Sequence, residues 1–377
     1  MPERPAPLVL VTTPPGGQPF GSHAAIAADG QRLLAADLSR RLGRLGAAVA
    51  PLASVAPPDG TPFHWGRWFV DAVRRAMDDA PGSVDAIGYA GGSSLSLLAD
   101  EALDDLLSPV PGEVVANNRF SADAFVVAGD LDAALAALEA CDNDNVAPRR
   151  LNDAGFAWRD LGTAPWARFD VDTTLDLALL RLASRLGGMR TLGPAVAGYL
   201  EMARLPGDRR LEVPHLERIG AVMRDRAGEL VVAGRVPVTT WQELETETAC
   251  RVRCFVEERG MRSARGGEQR PRSLLAALMG RASPAELVEE LARLGDAVVL
   301  DTRVLMAALA GSADAAAWPP EEERFASDFG DHGRIGTGWL RELTEAAVGA
   351  SVPFLLGGHA LVSDGLRLMV AAAWQGH

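Results

Sequence analysis

Two acids two positions apart, Asp170 and Asp172, are the residues in this sequence best placed for chemistry. They lie in ARFDVDTTLDLALL, residues 167–180, which reads as a short strand over 167–171, a polar turn, and a helix opening at 172–174. An extended backbone puts residues i and i+2 on one face, so the two carboxylates would converge. Beside a helix start they could hold a divalent cation that itself holds phosphates. Asp or Thr can also cap the first free amides, and Asp176 in the first turn suits the positive helix end. The alternative is structural: Asp172 as the cap and Asp170 as a solvated strand end.

A second polar set lies late in the chain. Residues 327–334, SDFGDHGR, carry Asp328, Asp331, His332 and Arg334 among glycines and read as a loop. Gly357-Gly358-His359 follows an apolar run, at a strand end where α/β sheets place ligands. Convergence of these loops with Arg251, Arg253, Asp301 and Arg303 would make an acid–His–Arg site suited to a phosphorylated ligand. Solvated loop residues and surface Asp–Arg pairs are the structural alternative.

Composition narrows the chemistry. The 37 basic residues are all arginine, so a Walker A loop, a Schiff base and a lysine nucleophile are excluded. A net charge of −13 argues against a nucleic-acid backbone or an anionic membrane as the main partner. Cys141, Cys250 and Cys254 make no disulfide framework and read as small buried hydrophobes. No apolar stretch is long enough to span a bilayer and no signal peptide is legible, so a cytoplasmic protein is expected.

These residues need elements to position them. A chain of 377 residues predicts two domains. Apolar runs at 8–11, 47–52, 84–89, 114–116 and 124–127 read as strands, and helical spacing appears at 31–45, 63–77, 130–140 and 175–186. This alternation predicts an α/β sheet covered by helices. A Gly- and Pro-rich loop over 12–23 follows the first strand, where such sheets commonly bind phosphates. Trp65, Trp68, Phe69 and Val73 form an aromatic helix face for the core, with His64 a structural residue at its start.

In the second half, 187–214 reads as a linking segment. Helices are expected near 216–226, over 241–248 with Thr240 as cap, from Ser283-Pro284 to 294, and over 361–374. Strands are expected over 229–236, 251–256 and 352–356, while 297–300 fits a strand or a helix start.

The order of elements over residues 7–185 resembles the GT-A-like nucleotidyltransferases, in particular the molybdenum-cofactor and phospholactate nucleotidylyltransferase group. Residues 16–21 with Ile26 and GQRLL (30–34) are similar to that family's first loop and helix. Residues 93–98 with EAL (101–103) are similar to its metal-loop segment, and DVDTTLDL (170–177) to its terminal motif. Ala24 stands where the family has its phosphate-binding Lys, Ser94 where it has a metal-binding Asp, and Ser96 where it has a Pro.

The resemblance implies a GT-A-like (Rossmann-like) mixed sheet covered by helices over 1–187, while the strands and helices over 188–377 read as a second, smaller α/β domain with no family resemblance. It implies transfer of a nucleotidyl group from an NTP to a phosphorylated small-molecule acceptor, with Mg²⁺ held by Asp170 and Asp172. Gly16, Gly17, Gly21 and Ser22 would lie on phosphates, Ser93 and Ser94 in the metal loop, and Asn117, Asn118 and Asp123 against nucleotide or acceptor. The replaced Lys and Asp leave two alternatives: a catalytically degenerate binding or assembly module, or an enzyme whose site is the C-terminal set above.

Overall fold

The computed structural model describes residues 6–14, 21–53, 63–80, 82–161, 164–258 and 270–375. The chain divides into two compact units. The first holds the described residues of 6–14, 28–172 and 190–199; the second holds 21–27, 173–189 and those from 200 onward.

The first unit is built on β1 (Leu8–Thr13), β2 (Ala48–Ala53), β3 (Ala86–Ala90), β4 (Glu113–Ala116), β5 (Ala124–Ala128) and β6 (Ala157–Asp160). Their order is β2-β1-β3-β5-β4-β6. β1 is parallel to β2 and β3, β4 is parallel to β6, and β5 is antiparallel to both its neighbours. The expected mixed sheet is therefore present.

Its strands are near-continuous apolar runs because both faces are covered. Alternate residues feed opposite cores. Leu8, Leu10, Val114 and Phe125 join Trp65, Phe69 and Tyr89 on one face. Val9, Val11, Val115 and Val126 join Leu38 and Leu42 on the other. The helices are α1 (His23–Arg44), α2 (Trp65–Asp78), α3 (Asp100–Leu106), α4 (Leu131–Glu139) and α5 (Ala147–Asp153). His64 caps α2, its side chain accepting from Arg67 N at 3.4 Å. β6 went unforeseen because, at the sheet edge, its Ala157 and Asp160 are exposed and its Trp158 and Arg159 only half-buried, so it carries no apolar run.

The expected strand over 167–171 does not form. Residues 164–168 are a bend and turn, and 169–172 are irregular. Asp170 Oδ1 takes the amide of Val171 at 2.9 Å, a donor that a strand would give to its ladder. Asn117 Nδ2 donates to Ala167 O at 3.1 Å and Gln31 Nε2 to Val171 O at 2.9 Å, so side chains hold the segment.

The second unit opens with α6 (Thr174–Ala183), where Thr173 and Asp176 form a reciprocal capping box. Thr173 is thus the cap, and Asp172 lies outside the helix. The supposed link at 187–214 is instead structured: α7 (Pro194–Met202) begins in the first unit, and β7 (Arg204–Leu205) pairs with β8 (Arg209–Arg210).

After α8 (Leu216–Arg224) come β9 (Glu229–Gly234), α9 (Val238–Glu247), β10 (Arg251–Val256), α10 (Leu274–Arg281) and α11 (Pro284–Ala292). Then follow β11 (Ala297–Asp301), α12 (Thr302–Ala310), α13 (Glu321–Asp328), α14 (Gly338–Gly349), β12 (Phe354–Gly357) and α15 (Leu366–Trp374). The sheet order is β10-β9-β11-β12, all parallel. Thr240 is not a cap: α9 starts two residues earlier, behind Pro237, and Thr240 is buried in its first turn. Ser283 caps α11 as expected, its hydroxyl accepting from Glu286 N at 3.1 Å. Ser327 and Asp328 are the last turn of a helix rather than a loop.

Cys141 is buried, and its thiol is pushed up to about 11 by that burial. Among the described residues, no helix is long and apolar enough to cross a membrane.

Candidate functional site

In the first unit the chain leaves β1 toward β2 on one side and leaves β3 toward β4 on the other. Loops that diverge in this way leave a crevice at the carboxyl ends of the two strands, where α/β sheets take ligands. The antiparallel β5 brings its amino end to the same place, because Ala90 pairs with Ala124. Asp123 and Asn117, at the two ends of the β4–β5 connection, are thereby carried to the carboxyl end of β3.

Hydrogen bonds fix these groups. Gly92 N donates to Thr12 Oγ1 at 2.9 Å, tying the ends of β1 and β3 together. A Cβ on Gly92 would lie 2.1 Å from Thr12 O, so only glycine permits this approach. Gly91 N reaches Asp123 O at 2.7 Å. Asn117 Oδ1 accepts from the amides of Asp123 and Ala124 at 2.9 and 3.0 Å, and its Nδ2 lies 3.2 Å from Asp123 Oδ2. Ser93 Oγ donates to Asp170 Oδ1 at 3.0 Å.

The electrostatics of this corner are unbalanced. Burial, with the neighbouring charges of Asp172 and Asp123, holds the Asp170 carboxyl well above the usual carboxylate range, against the hydrogen bonds from Ser93 and Val171. Clustered like charges of this kind favour a cation. Among the described residues, no three His, Cys, Asp or Glu side chains close into a metal-binding group. Mg²⁺, however, is usually held by one or two carboxylates plus substrate phosphates, not by an all-protein cage. Asp170 and Asp172 are the carboxylates of this corner that could take part in holding such a cation.

Of the residues singled out from the sequence, Ser93, Asn117, Asp123, Asp170 and Asp172 come together in this crevice. Ser94 is buried and spends its hydroxyl on Gly91 O at 2.7 Å, so it faces the main chain. Asn118 Oδ1 accepts from Phe120 N at 3.2 Å and shapes the loop. Gly16 and Gly17 lie outside the described residues. Gly21 and Ser22 belong to the second unit, where the Ser22 hydroxyl accepts from Ala25 N at 3.0 Å and caps α1. Ala24 packs there with Ala27 and Phe325.

The C-terminal set splits in two. Arg251 and Arg253 do not join it: they pair with Glu229, at the amino ends of β9 and β10. Asp331 goes with Arg209, Arg334 and His23, and His332 starts a short 3₁₀ turn beside it. Asp328 instead pairs with Arg303, near Asp301 and Arg235 at the other end of the sheet. Arg235 was not foreseen; its signal is its position one residue beyond an apolar strand run.

His23 is fully buried, stacks on Phe329 at 5.5 Å, and has Nε2 3.5 Å from Asp331 Oδ2, with neither ring nitrogen hydrogen-bonded among the described residues. Burial depresses its pKa, and the nearby Arg209 adds to this; Glu322 and Asp331 oppose it. A base depressed in the folded state contributes stability that is complete above its unfolded value, about 6.5, and lost as pH falls through the folded value. Between pH 7 and 5 the wild type should therefore lose stability faster than His23→Gln, by at most about 1.4 kcal/mol per pH unit for one proton. Melting curves across that range test this, and parallel slopes would exclude His23 as the titrating group.

No protein-family model matches this chain, and no curated protein matches it either.

Proposed function

We propose that the first unit binds a nucleoside triphosphate together with Mg²⁺ and transfers its nucleotidyl group to a phosphorylated small-molecule acceptor. One observation carries this reading: Asp170, Asp172 and Asp123 gather beside Ser93 at the diverging ends of β1 and β3. The mixed sheet and the terminal-motif resemblance around Asp170 support it.

In this reading Asp170 and Asp172 are the metal ligands, and Ser93 orients the Asp170 carboxylate through its hydroxyl. Asn117 fixes the loop that carries Asp123 toward nucleotide or acceptor. Bound Mg²⁺ supplies neutralisation of the triphosphate and of the charge that develops on leaving pyrophosphate. An acceptor oxygen bonds to the α-phosphorus as the bond to pyrophosphate breaks.

Two observations favour a second reading, a binding module without turnover. Ala24 and Ser94, at the positions matched to the family's Lys and Asp, are both buried, one in an apolar cluster and one bonded to main chain. Neither place is open to a phosphate-binding charge.

The test is a melting-temperature panel of nucleoside triphosphates and sugar nucleotides, with and without Mg²⁺, on wild type and Asp170→Ala. A ligand that binds only the folded state stabilises it by about 2.7 kcal/mol at a hundredfold excess over Kd. A Mg²⁺-dependent shift lost in Asp170→Ala is the expected result. Pyrophosphate release then separates transfer from binding alone. No shift with any nucleotide removes both readings of this site.

A further inference from the structure

The parallel sheet of the second unit ends differently at its two edges. β12, at one edge, is buried along its whole length. β10, at the other, leaves Arg251, Arg253, Phe255 and Val256 exposed, with Phe255 39% and Val256 51% accessible. An open edge strand is a template for further pairing, which sequences usually block with Pro, lysines, a bulge or a covering element. RVRCFV holds neither Pro nor Lys, and its register against β9 runs unbroken from Arg251 to Val256. Its two arginines pair back onto Glu229 of β9.

The ladder fixes which main-chain groups face outward. Arg251 N donates to Gly228 O at 2.9 Å and Glu257 N to Gly234 O at 3.1 Å. Alternate residues of a strand bond the same neighbour, so Arg253 and Phe255 also turn their main chain to β9. Val252, Cys254 and Val256 turn theirs outward, and an added strand must pair with them.

A second β10, running antiparallel, meets this demand only where outward residues face outward residues. With Val252 opposite Cys254, Arg253 falls opposite its own copy, and like charges directly across a pair are destabilising. With Cys254 opposite Val256, Val252 falls opposite Glu258, which has φ +55° and lies beyond the strand. With Val252 opposite Val256, Cys254 faces its own copy and every outward amide and carbonyl of the strand is matched. Arg253 then faces Phe255, and Arg251 faces Glu257: a cation beside an aromatic ring and an opposite-charge pair, each made twice by symmetry. Glu257 also accepts from Leu274 N at 2.7 Å, which sets the start of α10 beside the strand end. Leu274 is exposed there and extends the apolar surface of Phe255.

We propose that two copies of this chain associate through their β10 edges, antiparallel and centred on Cys254, so that one sheet runs through both. The occupant of the edge is a second copy because the strand is complementary to itself in charge and in outward hydrogen-bonding groups in the same register. This surface is independent of the nucleotide reading of the first unit.

The test is analytical sedimentation of the full chain from nanomolar to high micromolar concentration. Wild type, Phe255→Arg, Phe255→Glu and Val256→Pro are compared. Wild type is expected to sediment at twice the 39.8 kDa chain mass in the micromolar range. Phe255→Arg sets a cation opposite Arg253 and should raise the dimer dissociation constant about tenfold or more. Phe255→Glu sets an anion there and should leave that constant unchanged or lower it. Val256→Pro removes an outward donor but no bond to β9, and should also raise it about tenfold or more. Because Phe255 is exposed, its two variants keep the test valid should Val256→Pro fail to fold. A wild type monomeric at every concentration would overturn the proposal. So would Phe255→Arg associating as tightly as wild type, Phe255→Glu weakened as much as Phe255→Arg, or a folded Val256→Pro that dimerises unchanged.

Discussion

Asp328→Ala should destabilise the protein by about 3–5 kcal/mol, the usual cost of leaving a buried charge without its partner. Arg303 is 4% exposed and Asp328 1%, and their side chains meet at two points. A guanidinium cannot shed its proton to escape, so the variant must either bury a bare cation or open the end of the sheet to water. The Thr302 hydroxyl, 2.9 Å from Arg303 Nη1, compensates only in part.

Urea unfolding measures the loss as a lower midpoint. The double variant Arg303→Met/Asp328→Leu distinguishes a charge effect from a packing defect. With both charges gone it should recover most of the loss, because well-packed apolar replacements of a buried pair are often neutral. A double variant as unstable as Asp328→Ala would mean that the site depends on shape and not on charge. A loss below about 1 kcal/mol in the single variant would mean that water already reaches the pair.

Asp170→Asn should separate function from stability. The Asp170 carboxyl is held above its ordinary range by burial and by Asp172 and Asp123. An acid raised in the folded state contributes stability that is complete below its unfolded value, about 3.9, and lost as pH rises through the folded value. At neutral pH the ionised group is therefore a cost that an amide removes. The amide also keeps an oxygen to accept from Ser93.

The variant should match wild type near pH 4 and exceed it at pH 7–8, by on the order of 1 kcal/mol, while losing the Mg²⁺-dependent nucleotide shift. Many functional sites trade stability for activity in this way. Melting curves at the two pH values give the first result and the nucleotide panel the second. A variant less stable than wild type at pH 8 would show that the acid cluster is not strained.

Much of the architecture was legible because local rules and tertiary packing agreed. The apolar runs at 8–11, 84–89 and 124–127 became β1, β3 and β5 within a few residues. The Ser283/Glu286 cap formed as read, and of the residues offered at the 172–174 opening it is Thr173 that caps α6, with Asp176 in its first turn. Agreement failed where local pattern was ambiguous. ARFDV alternates like a strand, but its acid takes the next amide and no neighbour offers a ladder. Residues 187–214 look like a link because the hydrophobicity of α7 shows little periodicity over nine residues.

For the site, sequence alone determined which residue types were available: acids at 170 and 172, a serine at 93, no lysine anywhere. It also determined the apolar periods that make the sheets. Which of those residues meet was decided by strand order. The antiparallel β5 delivers Asp123 and Asn117 to the end of β3, and the parallel register of β9 with β10 leaves Arg251 and Arg253 at the far end from Asp301. Spacing along a chain reports neighbours on one element, whereas contacts between elements depend on sheet topology, which no short stretch encodes. That is why Arg235 went unnoticed beside an acid 66 residues away.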